Sequence, residues 1–157
     1  MDGTKEKLKR KKYNKLYLDI ASKISEMSFA RRLHVGAVIV KNDNIISFGW
    51  NGMPSGWDNN CEDVITPSLP YLQGDGPTLK TKPEVLHAEQ NAIAKLAKST
   101  ESGDGATMFI THAPCLDCAK LIYQSGIKSV YYRNAYRNTT TDGVDFLNKC
   151  NIEVKNV

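Results

Sequence analysis

Three side chains in this sequence are of the kind that hold a transition metal, and one stretch contains them all. His87 opens His87-Ala88-Glu89, and after 24 further residues comes Pro114-Cys115-Leu116-Asp117-Cys118. One imidazole and two thiols form a borderline-soft donor set that suits zinc. A catalytic zinc commonly has three protein ligands and leaves a fourth position to water, whereas a structural zinc takes four. No second Cys-x-x-Cys is present to close the site. Zinc makes water nucleophilic near neutral pH. Glu89, two residues from His87, is the carboxylate that could take the proton from that water and pass it on.

The neighbouring residues indicate what positions this set. Cys115 and Cys118 are three apart, so on a helix they share a face. Pro114 suits a helix start, where the first N–H groups have no intrahelical partner. Pro83 similarly precedes an apolar-periodic run, Leu86, Ile93, Leu96 and Ala97, which predicts a helix over residues 84–98. Both ligand sets then fall at helix N-termini, where free N–H groups and the macrodipole favour thiolate. His87 and Glu89 lie about 200° apart round a helix, so they reach one water from different sides only at a first turn facing a cleft.

A lone Cys-x-x-Cys is equally a redox pair or half a structural zinc knot, and a lone His-x-Glu means little. Their combination, with proline before the first cysteine, is the known signature of zinc-dependent nucleobase deaminases. In that chemistry Glu89 would carry the proton to a ring nitrogen and then to the leaving amine.

The chain of 157 residues is long enough for one domain with a substantial core. Hydrophobic content of 41% and charged content of 24% place it among soluble globular proteins. No run approaches the roughly 18 apolar residues of a membrane span, and no apolar segment follows the basic start as a secretory signal would need. Four cysteines, two claimed by metal, argue against a disulfide framework and for a reducing, cytoplasmic setting. The net charge of +4 is concentrated near the start, with Lys5, Lys7, Lys9, Arg10, Lys11, Lys12 and Lys15 against Glu6. Such a run either meets phosphate groups or is a solvated arm.

Residues 1–12 read as a frayed, flexible basic arm. From Tyr13 to about Ser28–Ala30, Leu16, Tyr17, Ile20, Ala21 and Ile24 follow the helical period. The β-branched run 35–40 and residues 45–50 read as a hairpin across the turn 41–44. Residues 51–83, rich in Gly, Pro and Asn, read as a long loop covering the site. After the His87 helix come a strand over 106–111, the cysteine helix to about Gln124, a strand over 129–132, a helix over 143–150 and a strand over 152–154. The alternation gives an α/β fold, three layers α-β-α with a mixed central sheet of about five strands, and one domain over 1–157.

Four segments carry a resemblance over nearly the whole chain: Val35-Gly36-Ala37-Val38-Ile39-Val40, Gly49-Trp50-Asn51-Gly52-Met53-Pro54-Ser55-Gly56, His87-Ala88-Glu89-Gln90-Asn91-Ala92-Ile93 and Pro114-Cys115-Leu116-Asp117-Cys118-Ala119-Lys120. The chain resembles the deoxycytidylate (dCMP) deaminases of the cytidine deaminase-like superfamily. The resemblance implies that it converts dCMP to dUMP and ammonia with catalytic zinc on His87, Cys115 and Cys118 and with Glu89 as proton carrier. It implies that Asn51 bonds the sugar 3′-hydroxyl and that the Ala88 N–H meets the pyrimidine O2. Arg31, Tyr136 and Arg137 are the candidates around the phosphate. Such enzymes are commonly homohexamers activated by dCTP with magnesium and inhibited by dTTP. Their effector loop corresponds to Asn51, Gly52, Pro54 and Gly56, with Asp58 or Asp63 as the acid.

Trp50 stands where tyrosine is common in that family, a swap that keeps an aromatic surface. Some phage relatives carry a second, structural zinc, for which Cys61, His34, His112 and Cys150 are the spare donors. They read instead as locally hydrogen-bonded histidines and plain thiols. Two other readings compete. A polynucleotide deaminase, acting on tRNA adenosine or single-stranded cytosine, would share the metal motif and use the basic start, but basic and aromatic residues are not interleaved near the cysteines. A non-catalytic zinc-stabilised binding module would have no use for the unligated Glu89. A single nucleotide, rather than nucleic acid, is therefore the expected partner.

Overall fold

Ala37 and Ile39 face one side of the central sheet and Val38 and Val40 the other, as the two-residue strand period requires, and each side finds its own helices. The structure, a computed structural model, describes residues 3–65, 77–135 and 142–157. Its elements in chain order are α1 (Gly3–Ser25), β1 (Gly36–Lys41), β2 (Asn44–Trp50), β3 (Glu62–Ile65), β4 (Thr78–Thr81), α2 (Ala88–Ala97), β5 (Thr107–His112), α3 (Leu116–Gln124), β6 (Ser129–Asn134), α4 (Asp142–Lys149) and β7 (Glu153–Asn156).

Five strands form one sheet in the order β2-β1-β5-β6-β7. β1 runs antiparallel to β2 and β5, while β6 runs parallel to β5 and β7, so the sheet is mixed as expected. The β1–β2 hairpin closes through Asn42 and Asp43, both left-handed with φ of 50° and 59°, the two-residue geometry that matches strand twist. On one face α1 lays Tyr17, Leu18 and Ala21 over Val38, Val40 and Phe109. On the other face Ala88, Ala92 and Leu96 of α2, Ala119 and Ile122 of α3 and Leu147 of α4 cover Ala37, Ile39, Met108, Ile110 and Val130. This is the three-layer α-β-α arrangement.

Four expectations are corrected. The segment expected to fray is helical from Gly3. Lys, Arg, Leu and Glu are good helix formers without any apolar stripe, and these residues extend the packed helix outward with exposed side chains. The same helix stops at Ser25, where the serine hydroxyls turn to backbone carbonyls: Ser25 Oγ donates to Ser22 O at 2.6 Å and Ser28 Oγ to Asn51 O at 2.8 Å. The 51–83 stretch holds a two-stranded antiparallel sheet of β3 and β4. Its strands are four residues long, and in β3 only Glu62 is buried, so no alternation marks it in the sequence. Finally, α2 begins at Ala88, four residues later than expected, because Leu86 exchanges both backbone hydrogen bonds with Gly52, at 2.9 and 3.0 Å.

Candidate metal centre and substrate pocket

The three ligand side chains are delivered by two helix starts. His87 is the N-cap of α2 in extended conformation. Its carbonyl accepts from the Asn91 N–H at 3.0 Å and its own N–H donates to Gln90 Oε1 at 2.7 Å, so the side chain of the third helical residue secures the cap. Cys115 is the N-cap of α3, accepting from the Ala119 N–H at 2.9 Å. The loop before it is tied to β6 at both ends of Asn134. Asn134 Nδ2 donates to Thr111 O and Asn134 O accepts from the Ala113 N–H, each at 2.9 Å. Gly143 of α4 presses on the same loop, since a Cβ there would stand 2.1 Å from Pro114 O and 2.8 Å from the Cys115 carbonyl.

His87 Nδ1 lies 3.5 Å from Cys115 Sγ and 3.3 Å from Cys118 Sγ. All three ligand atoms fall within 4.8 Å of one another. Tetrahedral zinc with ordinary Zn–N and Zn–S bonds holds its nitrogen and sulfur ligands about 3.6 Å apart. The donor set and its spacing therefore fit one zinc ion with a fourth position open. Among the described residues no other group of three His, Cys, Asp or Glu side chains is so placed.

The thiol pair is electrostatically divided. Hydrogen bonds from Cys118 and then His87 hold Cys115 down at about 4, so it is a thiolate. That hydrogen bond to Cys115, followed by burial, pushes the Cys118 thiol far up. Glu89, in the first turn of α2, is 4% exposed. Burial pushes its carboxyl up to about 7, against smaller opposing effects of its own backbone N–H and His87.

His87, Ala88 and Glu89 open onto a cavity of about 360 Å³ whose other walls include Ala30, Arg32, Leu33, Asn51, Thr81 and Val85. Asn51 and Ala88, both expected at the substrate, are here. The Asn51 side chain ties the wall together, as its Oδ1 accepts from the Val35 N–H and its Nδ2 donates to Leu33 O, each at 2.8 Å. Each amide atom retains capacity for one more bond. Arg31 is not at the cavity wall. Its Nε stands 3.6 Å from Glu62 Oε2, and the arginine at the wall is Arg32, whose Nη1 donates to Thr81 Oγ1 at 3.0 Å. Sequence reasoning missed Arg32 because two adjacent arginines give no spacing that separates them. Tyr136 and Arg137 lie outside the described residues.

The expected effector loop is divided. Gly52, Pro54 and Gly56 line a second cavity of about 430 Å³ with Phe29, Trp50, Asn91 and Lys95, while Asn51 belongs to the first. Neither Asp58 nor Asp63 lines this second cavity. Asp58 Oδ1 accepts from the Asn60 N–H at 2.6 Å, and Asp63 reaches Lys82 at 3.9 Å across the small sheet. Trp50 stacks on Phe48, and Lys95 Nζ sits 4.4 Å from both ring centroids. Of the spare metal donors, His34 bonds Ala30 O at 2.7 Å, His112 contacts Thr111 Oγ1 at 2.9 Å and Cys61 Sγ donates to Asn59 O at 3.5 Å.

With this geometry established, known proteins give the family. Residues 11–134 match the profile described as "Cytidine and deoxycytidylate deaminase zinc-binding region". The deoxycytidylate deaminase of Enterobacteria phage T4 is 37% identical, with 89% of this chain and 87% of that protein aligned. A crystal structure of the cyanophage S-TIM5 dCMP deaminase, in complex with dCMP and dUMP, superposes with a TM-score of 0.80 and 46% identity over 93% of this chain and 97% of that one. A structure from work on tRNA:A34 deaminases has a TM-score of 0.59 at 19% identity, over 90% of this chain and 91% of that one, and shares the fold alone. The chain belongs to the cytidine and deoxycytidylate deaminase family.

Proposed function

We propose that this protein hydrolyses dCMP to dUMP and ammonia. The observation that carries the reading is a His87, Cys115 and Cys118 donor set that fits one metal ion, with His87 and the buried carboxylate of Glu89 opening onto one cavity of nucleotide size. Zinc held by His87, Cys115 and Cys118 supplies Lewis acidity that makes water nucleophilic near neutral pH. Glu89 takes one proton from the attacking water and gives it to ring N3, then takes the remaining hydroxyl proton of the C4 adduct and gives it to the departing amine, which leaves as ammonia. Burial keeps its carboxyl out of competition with bulk solvent. The first-turn N–H of Ala88 has no intrahelical partner and meets the pyrimidine O2. Asn51, with its amide fixed by the 33–35 backbone, uses its remaining capacity on the 3′-hydroxyl. Arg32, not Arg31, is the described arginine that meets the phosphate, as a guanidinium at the cavity wall.

Regulation belongs to the same proposal. dCTP with magnesium activates and dTTP inhibits at the second cavity, which adjoins the first through Asn51 and Gly52. Exposed Phe29 and Trp57 beside it support association of copies, with a homohexamer as the assembly. No helix among the described residues is long and apolar enough to cross a membrane, and four free thiols suit a reducing cytoplasm.

Steady-state deamination of cytidine, deoxycytidine, CMP, dCMP and a cytosine-containing oligonucleotide tests the assignment. The expected result is the highest kcat/KM on dCMP. Turnover of the oligonucleotide alone would replace the reading with a polynucleotide deaminase.

A further inference from the structure

Glu62 is a carboxylate that is 1% exposed, and the metal chemistry does not use it. Its Oε1 accepts from two successive backbone N–H groups, Arg31 at 2.9 Å and Arg32 at 3.2 Å. Its Oε2 is buried with no hydrogen-bond partner among the described residues, and Arg31 Nε stands 3.6 Å from it. If two N–H groups merely needed an acceptor, a neutral amide would serve without the cost of burying a charge. The charge has a consequence here: it takes the Arg31 guanidinium as its counter-ion and leaves Arg32 for the cavity.

The partner strand completes the hold. Glu62 of β3 and Thr81 of β4 are directly opposite each other in the two-stranded sheet. Glu62 fixes the Arg32 backbone, and Thr81 Oγ1 accepts from Arg32 Nη1 at 3.0 Å. One rung of the small sheet therefore grips Arg32 at both ends. Thr81 and Arg32 both line the substrate cavity, whereas Glu62 lies behind the wall and acts only through its neighbours.

We propose that Glu62 is a positioning residue for substrate phosphate, sorting two adjacent arginines so that Arg31 neutralises the buried carboxylate and Arg32 meets the phosphate. This rests on the reading that Arg32 contacts the phosphate of dCMP. A fixed guanidinium recognises a phosphate better than a mobile one because less rotamer freedom is lost on binding.

The test is the affinity of the zinc-loaded enzyme for dUMP and for deoxyuridine, which lacks the phosphate, in Glu62→Gln, Thr81→Val and Arg32→Ala and in each of the first two combined with Arg32→Ala. Glu62→Gln should weaken dUMP about tenfold, leave deoxyuridine unchanged, and raise KM for dCMP far more than it lowers kcat. In the Arg32→Ala background neither other change should weaken dUMP further, since residues acting through one another are not additive. Equal weakening of dUMP and deoxyuridine, or additive effects, would overturn the proposal. If Arg32→Ala alone leaves dUMP binding intact, the phosphate reading itself is wrong; if it weakens dUMP and Glu62→Gln does not, only the role of Glu62 fails. Should Glu62→Gln not fold, Thr81→Val decides by the same non-additivity.

Discussion

A methyl group on Gly49 would stand 2.5 Å from the carbonyl oxygen of Ala88, and 2.6 Å from the Ala92 amide nitrogen. β2 thus meets α2 backbone to backbone at the turn that carries Glu89. Ser47 Oγ and Asn91 Nδ2 reinforce the contact through Ala92 O and Trp50 O, each at 2.7 Å. Gly49→Ala must push α2 away. Overpacking of this kind costs roughly 1–3 kcal/mol. Urea unfolding should show that loss, and turnover should fall further than stability explains because Glu89 moves with the helix. Unchanged stability and turnover would show that the two elements are not in contact.

Gly143 presses on the other ligand loop. Gly143→Ala should displace Pro114 and Cys115 and weaken zinc binding, measured by competition with a chromophoric chelator. Gly105→Ala is the comparison. Gly105 has φ of 74° but no atom near its Cβ position, so it should cost stability and leave zinc affinity alone. Equal zinc affinity in both variants would contradict the packing argument.

Zinc uptake should release protons. Metal needs thiolates, and in the metal-free protein Cys115 is already ionised while Cys118 keeps its proton for the hydrogen bond to Cys115. At least one proton per zinc should therefore appear in a weakly buffered solution at pH 7, and zinc affinity should fall as pH falls. Cys118→Ser should abolish both zinc retention and turnover. Zinc binding without proton release would mean that Cys118 is not a ligand.

The second cavity predicts an effector response. Turnover against dCMP should be sigmoidal and become hyperbolic with dCTP and magnesium, and dTTP should oppose this. Lys95→Ala, at the wall of that cavity, should blunt the dCTP effect while leaving the zinc content unchanged. Kinetics indifferent to dCTP would remove the regulatory reading, since coupling requires two sites and two states.

The metal set was legible in the sequence because His87, Cys115 and Cys118 are residue types that rarely coincide at this spacing, with Glu89 close by and Pro114 directly before the N-cap of the cysteine helix. The sheet was legible because β1 and β5 are buried on both faces and their apolar runs are continuous. The β3–β4 pair was not, because its strands are short, mostly exposed and set among Gly and Pro. Arg32 was hidden for a different reason. Which of two adjacent arginines faces the cavity depends on Glu62, 30 residues away, and no local pattern encodes that distance. Gly143 was hidden likewise, since close approach of α4 to the cysteine loop is a tertiary fact.

The most direct measurement is made on Glu89→Gln: zinc per chain and dCMP turnover in one preparation. Glutamine keeps the shape and cannot carry the proton, and general acid–base catalysis is typically worth about 10²–10⁴ in rate. The expected result is one zinc per chain with turnover lowered by at least that range. Near-normal turnover, or loss of the metal along with it, would contradict the role assigned to Glu89 beside His87, Cys115 and Cys118.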